Sequence, residues 1–349
     1  MKNKIIKILT LSAVLVLSLC FMIACNQGNN SDEGTGDSNV QQNATADEYF
    51  TFTLLGDRTY SIKAKDIADM PANVVIPASY KGKAVTTIGD SAFRDCRSLV
   101  SVEIPDSVTN IGDFAFSGCI NLTSVVIPNG VTNIANYTFN NCPSLVSIEI
   151  PDGVTAIGDY AFFTCYKLTN VVIPDSVTTI GAEVFGYCSN LTSVEIPNGI
   201  TSIGFLAFEY CNKLQYNVKE NLKYLGNEEN PYLYLVGVTS KGITSASIDK
   251  NCRFVGDYAF SECVSLISVV IPDGVEIIGC SAFWFCRSMT SVVISNSAIF
   301  IGDMAFYGCS SLTSIKYCGT QYQWDEISKG SDWNYKTGNY TITYNYDGE

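Results

Sequence analysis

From about residue 85 the chain repeats one pattern of apolar and polar positions every 23 residues. The clearest copy, residues 111–133, reads IGDFAFSGCINLTSVVIPNGVTN. Phe116, Cys119 and Leu122 recur at intervals of three, the spacing of one face of a helical turn, and Asp113 after Gly112 stands where a cap would start it. Leu122 to Ile127 then alternates and is β-branched, until Pro128 and Asn129-Gly130 stop it. That predicts a short strand closed by a turn. Val131 and Ile134 bring apolar groups back to the inside.

The repeat is strict. Cys96, Cys119, Cys142, Cys165, Cys188 and Cys211 stand 23 residues apart, and Cys263, Cys286 and Cys309 resume the step. Each has a phenylalanine three residues earlier, from Phe93 through Phe306. A fixed period of this size predicts a solenoid in which each coil buries its apolar groups only against its neighbours, so stability is collective. The fold class expected is α/β, with parallel strands on the concave side and short helical turns on the convex side. About ten coils are expected, including worn ones.

Departures from the period mark the boundaries. Between Cys211 and Cys263 the step is 52 residues. Leu214 to Leu225 reads as a worn repeat, residues 227–242 as an insertion, and Ile243 to Ile248 as a strand. The insertion is either a tolerated extra loop or a binding loop. Residues 48–84 alternate around Gly56-Asp57 as an N-terminal cap, 85–316 form the solenoid, and 317–349 close it.

The L-x-x-V-x-I-P…I-G-x-x-A-F-x-x-C pattern resembles the BspA-like leucine-rich repeat of bacterial surface proteins, over about residues 48–349. The resemblance implies a parallel-stranded superhelix, secretion, and a role in adhesion or protein binding. It carries no catalytic set.

Ahead of the repeats, Met1 to Lys7 holds three lysines and Ile8 to Ala24 is apolar, the order of an export signal over residues 1–24. Met22-Ile23-Ala24-Cys25 resembles a bacterial lipobox, which implies lipid on Cys25 and a lipoprotein anchored at the extracellular face of the envelope. Residues 25–47 are rich in Asn, Gly, Ser, Asp and Gln and form a tether with a reach of roughly 25 Å.

Composition narrows the chemistry. There are 21 Lys plus Arg against 34 Asp plus Glu, a net charge of −13, and no histidine. Loss of the three leader lysines takes the charge to −16. Such a chain repels nucleic acid, and Ser-His, Cys-His and His-metal chemistries are excluded. No nucleotide, esterase or zinc-protease motif occurs, so the chain reads as a non-enzyme without cofactor or metal. The nine ladder cysteines read as buried free thiols, because stacked equivalents have parallel Cα–Cβ vectors unsuited to a bridge. The turn acids Asp90, Asp113, Asp159, Asp257 and Asp303 suit caps better than a calcium array.

Two strips remain as candidate contact surfaces beside the insertion. On the strands, the outward position two before the proline alternates as Glu103, Val126, Glu149, Val172 and Glu195, which either limits aggregation or docks a basic or extended partner. Around the turns, Phe163, Tyr166, Tyr187, Tyr210, Trp284, Phe285 and Tyr307 form an aromatic ridge that either shields itself or meets a ligand. The function expected is recognition or adhesion to an extracellular protein or glycan. The alternative is a structural spacer of the envelope without a dedicated ligand.

Overall fold

The computed structural model describes residues 44–347. The export signal, Cys25 and the tether up to residue 43 lie outside the described residues. What is described is a parallel-strand solenoid of about 12 turns, two more than the repeats alone suggest. The strands Asn73–Val75 and Thr341–Thr343 extend the parallel rows at either end although their sequences are worn.

Each coil contributes two strands. The predicted strand, for example Ser124–Val126, pairs in register with its neighbours, so that Ser101, Ser124, Ser147, Asn170 and Ser193 form one column. This row has six strands before the long interval and five after it. A second row, not foreseen from the pattern, comes from the residue pairs Asn110–Ile111, Asn133–Ile134, Ala156–Ile157, Thr179–Ile180 and Ser202–Ile203. The isoleucine of each pair points in and the preceding residue points out, so two residues suffice for a period-two signal.

The expected helical turns on the convex side are not formed. Within a coil, Ala115 N donates to Gly112 O and Cys119 N to Phe116 O, as successive turns do. The intervening groups leave the coil: Phe114 N donates to Asn136 O, Phe116 N to Thr138 O and Gly118 N to Asn140 O. This alternation needs two left-handed residues per coil. One column is Phe114, Tyr137 and Tyr160 (φ 58°, 57° and 56°), the other Asn141, Thr164 and Tyr187 (φ 54°, 60° and 60°). A helix satisfies its N–H groups locally, whereas here every second donor ties one coil to the next. Asp113 accordingly caps no helix: its Oδ1 accepts from Asn136 N at 2.9 Å, and Asp90 and Asp159 do the same one coil on for Asp113 N (3.0 Å) and Ala182 N (2.7 Å).

The interior is a set of ladders. Phe93, Phe116, Phe139, Phe162 and Phe185 are fully buried and stack at 5.3 to 5.6 Å with nearly parallel rings. Cys142 Sγ donates to Phe116 O at 3.2 Å, and the same contact recurs for Cys119, Cys165, Cys188, Cys211, Cys286 and Cys309. Buried apolar residues fall into two clusters that meet near residues 214–254.

At that seam the chain omits a turn segment. Asn217–Lys219 and Leu222–Leu225 pair antiparallel, Leu222–Leu225 pairs antiparallel with Tyr234–Val238, and Tyr234–Val238 runs parallel to Phe254–Val255. Tyr234, which pairs with Phe254 in the second strand row, meets the last phenylalanine of the first ladder, Phe208, with tilted rings 6.2 Å apart. Polar staples cross the seam. Arg253 Nη1 donates to Asn198 O and Ile200 O while its Nε and Nη2 fork onto Glu276.

The ends are covered differently. Phe50–Leu54 and Tyr60–Ala64 form a hairpin whose second strand runs parallel to Lys83–Ile88, and Phe50 meets Phe93 edge-on. At the other end the helix Gln321–Glu326 is closed by a capping box between Thr320 and Gln323. Buried Trp324 packs on Tyr317 and Trp333, and Trp333 meets Phe306.

Candidate functional site

The strand face carries the alternating column in register. Glu103 pairs with Val126, Val126 with Glu149, Glu149 with Val172 and Val172 with Glu195. The three glutamates are exposed and stand about 10 Å apart, two strand spacings. Between them Val126 is 70% exposed and Val172 55%, and beyond the seam Val270 is 52% exposed. Ser101, Ser124, Ser147 and Ser193 run beside them. The result is a flat lattice of carboxylates, hydroxyls and bare β-branched side chains fixed by the backbone ladder behind it.

The aromatic ridge is divided by the seam into two groups that pack mostly on themselves. Phe163 meets Tyr187 edge-on at 5.4 Å and Tyr187 lies 4.5 Å from Tyr210. After the seam, Trp284 contacts Phe285 at 4.3 Å, Phe285 contacts Tyr307, and Arg287 covers the Phe285 ring. Tyr166, Tyr187 and Tyr210 are exposed, while Phe163, Trp284, Phe285 and Tyr307 are half-buried. A third stack escaped sequence reasoning. Arg94, Phe114, Tyr137 and Tyr160 pile face to face, and the Tyr160 hydroxyl donates to Glu183. Phe114, Tyr137, Tyr160 and Glu183 occupy one position in consecutive coils, 23 residues apart, which is the signal that could have revealed it.

All twelve described cysteines are free, and only Cys280 and Cys318 are partly exposed. Burial pushes the thiols of Cys211 and Cys309 up to about 12 and lifts Cys142, Cys165 and Cys188 well above the usual range. Protonated, enclosed thiols are poor nucleophiles and poor metal ligands. The turn carboxylates, for their part, hold backbone N–H groups of adjacent coils.

The repeat unit that builds these surfaces matches the BspA type leucine rich repeat region family over residues 86–215 and 239–331, in six copies. The chain belongs to this family. No curated protein matches it. Among solved structures, a leucine-rich repeat protein from Bacteroides ovatus is 26% identical, over 85% of this chain and 89% of that one, with a TM-score of 0.50. A leucine rich cell surface protein from Faecalibacterium prausnitzii is 27% identical over 82% of this chain and 98% of its own, with a TM-score of 0.44. The T. pallidum leucine rich repeat protein is 30% identical over 50% of this chain and 91% of its own, with a TM-score of 0.45.

The gap between the two matched stretches falls on the seam, and there the BspA-type chain has a feature the pattern did not show. In the first block the second strand row carries Asn110, Asn133, Ala156, Thr179 and Ser202 before its isoleucines; after the seam the equivalent positions are Phe254, which is buried, and the half-buried Ile277 and Phe300. With Phe205 and Tyr234 they line a cleft that also contains Asp257 and Cys280. Asp257 Oδ1 accepts from Cys280 N at 2.6 Å and Oδ2 from Leu206 N at 2.9 Å. Its pKa is raised, burial being the main cause.

Proposed function

We propose that this BspA-type protein is a non-catalytic recognition module that binds an extracellular protein or glycan through its strand face, held at the outer side of the membrane by lipid on Cys25. The observation that carries the reading is the exposed column Glu103, Val126, Glu149, Val172, Glu195. Two valines with more than half their surface in water, Val126 and Val172, lie on one sheet of parallel strands paired in register. Covering them removes apolar area at about 25 cal/mol per Å². The glutamates at a fixed spacing add preference for a partner with basic or hydroxyl groups at the same repeat. Many weak, evenly spaced contacts on a rigid lattice suit an extended chain.

The ridge aromatics, which already contact one another, are the lesser candidate surface. The test is a binding screen of the protein against glycans and extracellular-matrix proteins. It is repeated with Glu103→Lys, Glu149→Lys and Glu195→Lys combined and with Val126→Glu plus Val172→Glu. A saturable ligand lost by at least tenfold in both variants, with circular dichroism unchanged, is the expected result. Equal binding by parent and variants would remove the strand face as the contact surface.

A further inference from the structure

We propose that the strand face of the first block takes a polyproline II segment of a protein partner with a basic residue at every third position, laid across the strands along the solenoid axis. This rests on the strand-face reading above and names what that face recognises. Charge selects a cationic partner. Residues 98–212 hold ten carboxylates and one cation, Lys167, which stands at the other end of its coil's strand, ahead of Asn170–Val172. Glu103, Glu149 and Glu195 are exposed and enter none of the three ion pairs among the described residues. Exposed Asp106, Asp152 and Asp175 border the same face just past the prolines. A positive chain meets attraction along the whole column.

Spacing selects the conformation. The three glutamates lie on alternate strands of one in-register row, so they repeat every two strand spacings, about 9.6 Å. A polyproline II helix has three residues per turn and rises about 3.1 Å per residue, so its side chains return to one face every third residue, after about 9.3 Å. Over the two intervals from Glu103 to Glu195 the mismatch is only about 0.6 Å. The other regular conformations fit worse. In a β-strand every third residue faces the opposite side, and same-face residues recur at about 6.7 Å. An α-helix returns to one face after seven residues, about 10.5 Å, and drifts by about 2 Å over the same span.

Each part of the face then has a use. Arginines fork onto the three glutamates, while proline rings between them cover Val126 and Val172, which are 70% and 55% exposed. A polyproline II backbone makes no internal hydrogen bonds, so its carbonyls are open to the exposed side chains of the next column, Ser124, Asn170 and Ser193. Such a segment is already extended before it binds, so little chain entropy is lost on docking.

The experiment titrates the full chain, by fluorescence anisotropy, against a labelled peptide of four Pro-Pro-Arg triplets and against an isomer of the same composition with arginine at every second position from its start. The isomer has equal charge, but at most two of its arginines share a face. Saturable binding of the period-three peptide is expected, about threefold to fivefold tighter than the isomer at low salt, the worth of one exposed charge pair. Glu149→Gln, which removes the middle contact, should erase that preference, and high salt should weaken both peptides. Circular dichroism checks that the variant is folded. Equal affinities for the two peptides on the parent, or a preference kept in Glu149→Gln, would overturn the proposal. So would saturable binding of a glycan with neither peptide bound. In each of these cases the strand-face reading survives if the combined Glu103→Lys, Glu149→Lys and Glu195→Lys variant loses the ligand found, and it falls too if that ligand is kept.

Discussion

Replacing Phe139 by alanine tests whether the seam divides the protein into two cooperative blocks. Phe139 is fully buried and stacks on Phe116 at 5.5 Å and on Phe162 at 5.6 Å, with rings within 7° of parallel. Truncating a core phenylalanine costs about 3 to 5 kcal/mol, and losing two offset stacks places this site at the upper end. With a urea dependence of about 2.5 kcal/mol per M for a block of this size, a loss of about 5 kcal/mol lowers the midpoint by about 2 M. The chain offers a selective probe, because its three tryptophans, Trp284, Trp324 and Trp333, all follow the seam. Far-ultraviolet circular dichroism reports both blocks and tryptophan fluorescence only the second. In Phe139→Ala the circular dichroism transition should split and its early part move down by about 2 M, with the fluorescence midpoint nearly unchanged. Coincident transitions that shift together would show that Arg253 and the shared contacts around Tyr234 weld the two clusters into one unit, and the two-block argument would be wrong.

Two further outcomes follow from the ladders. Because the folded-state pKa of the buried thiols lies above the unfolded value, their contribution is fully present below the unfolded pKa of about 8.5 and is lost as pH rises toward the folded one. Each such cysteine then costs about 1.4 kcal/mol per pH unit above that point. Melting temperature should fall steeply between about pH 9 and 11, and a flat profile there would contradict the enclosed-thiol picture. Thr164 is a β-branched residue held at φ 60°, whereas Asn141 fills the same position one coil earlier. Thr164→Asn should therefore raise stability by about 1 kcal/mol in urea unfolding, and a loss would show that the Thr164 hydroxyl contact to Phe163 O outweighs the backbone strain.

The strand row, its register and its outward column were legible because Pro128 and its equivalents, preceded by β-branched alternation, mark each strand unambiguously. The cysteine and phenylalanine ladders were legible for the same reason, as nine copies of one spacing. The turn side was misread. Phe116, Cys119 and Leu122 at intervals of three fit a helix and a stack of linked turns equally well, and the choice is made by where Phe114 N, Phe116 N and Gly118 N donate. Those bonds join residues 22 apart and have no local signature. Gly118 and Gly308, at positive φ, were the only local hint, since most other positions in those columns carry side chains. The seam cleft was invisible for a related reason: its walls come from residues 205, 234, 254, 277 and 300, which become neighbours only because a turn segment is omitted.

Omission of one turn also explains how the seam is held together. In a regular coil the three outgoing turn N–H groups find the next coil's carbonyls, as Glu183 N finds Phe205 O, Phe185 N finds Ala207 O and Tyr187 N finds Glu209 O. One coil later Leu206 N is met instead by the Asp257 carboxylate. The repeat thus closes its own break with a charged side chain from the far block. It is the usual turn carboxylate used twice: Asp257 Oδ1 accepts from Cys280 N as Asp113 Oδ1 accepts from Asn136 N, and its Oδ2 takes the extra donor, Leu206 N.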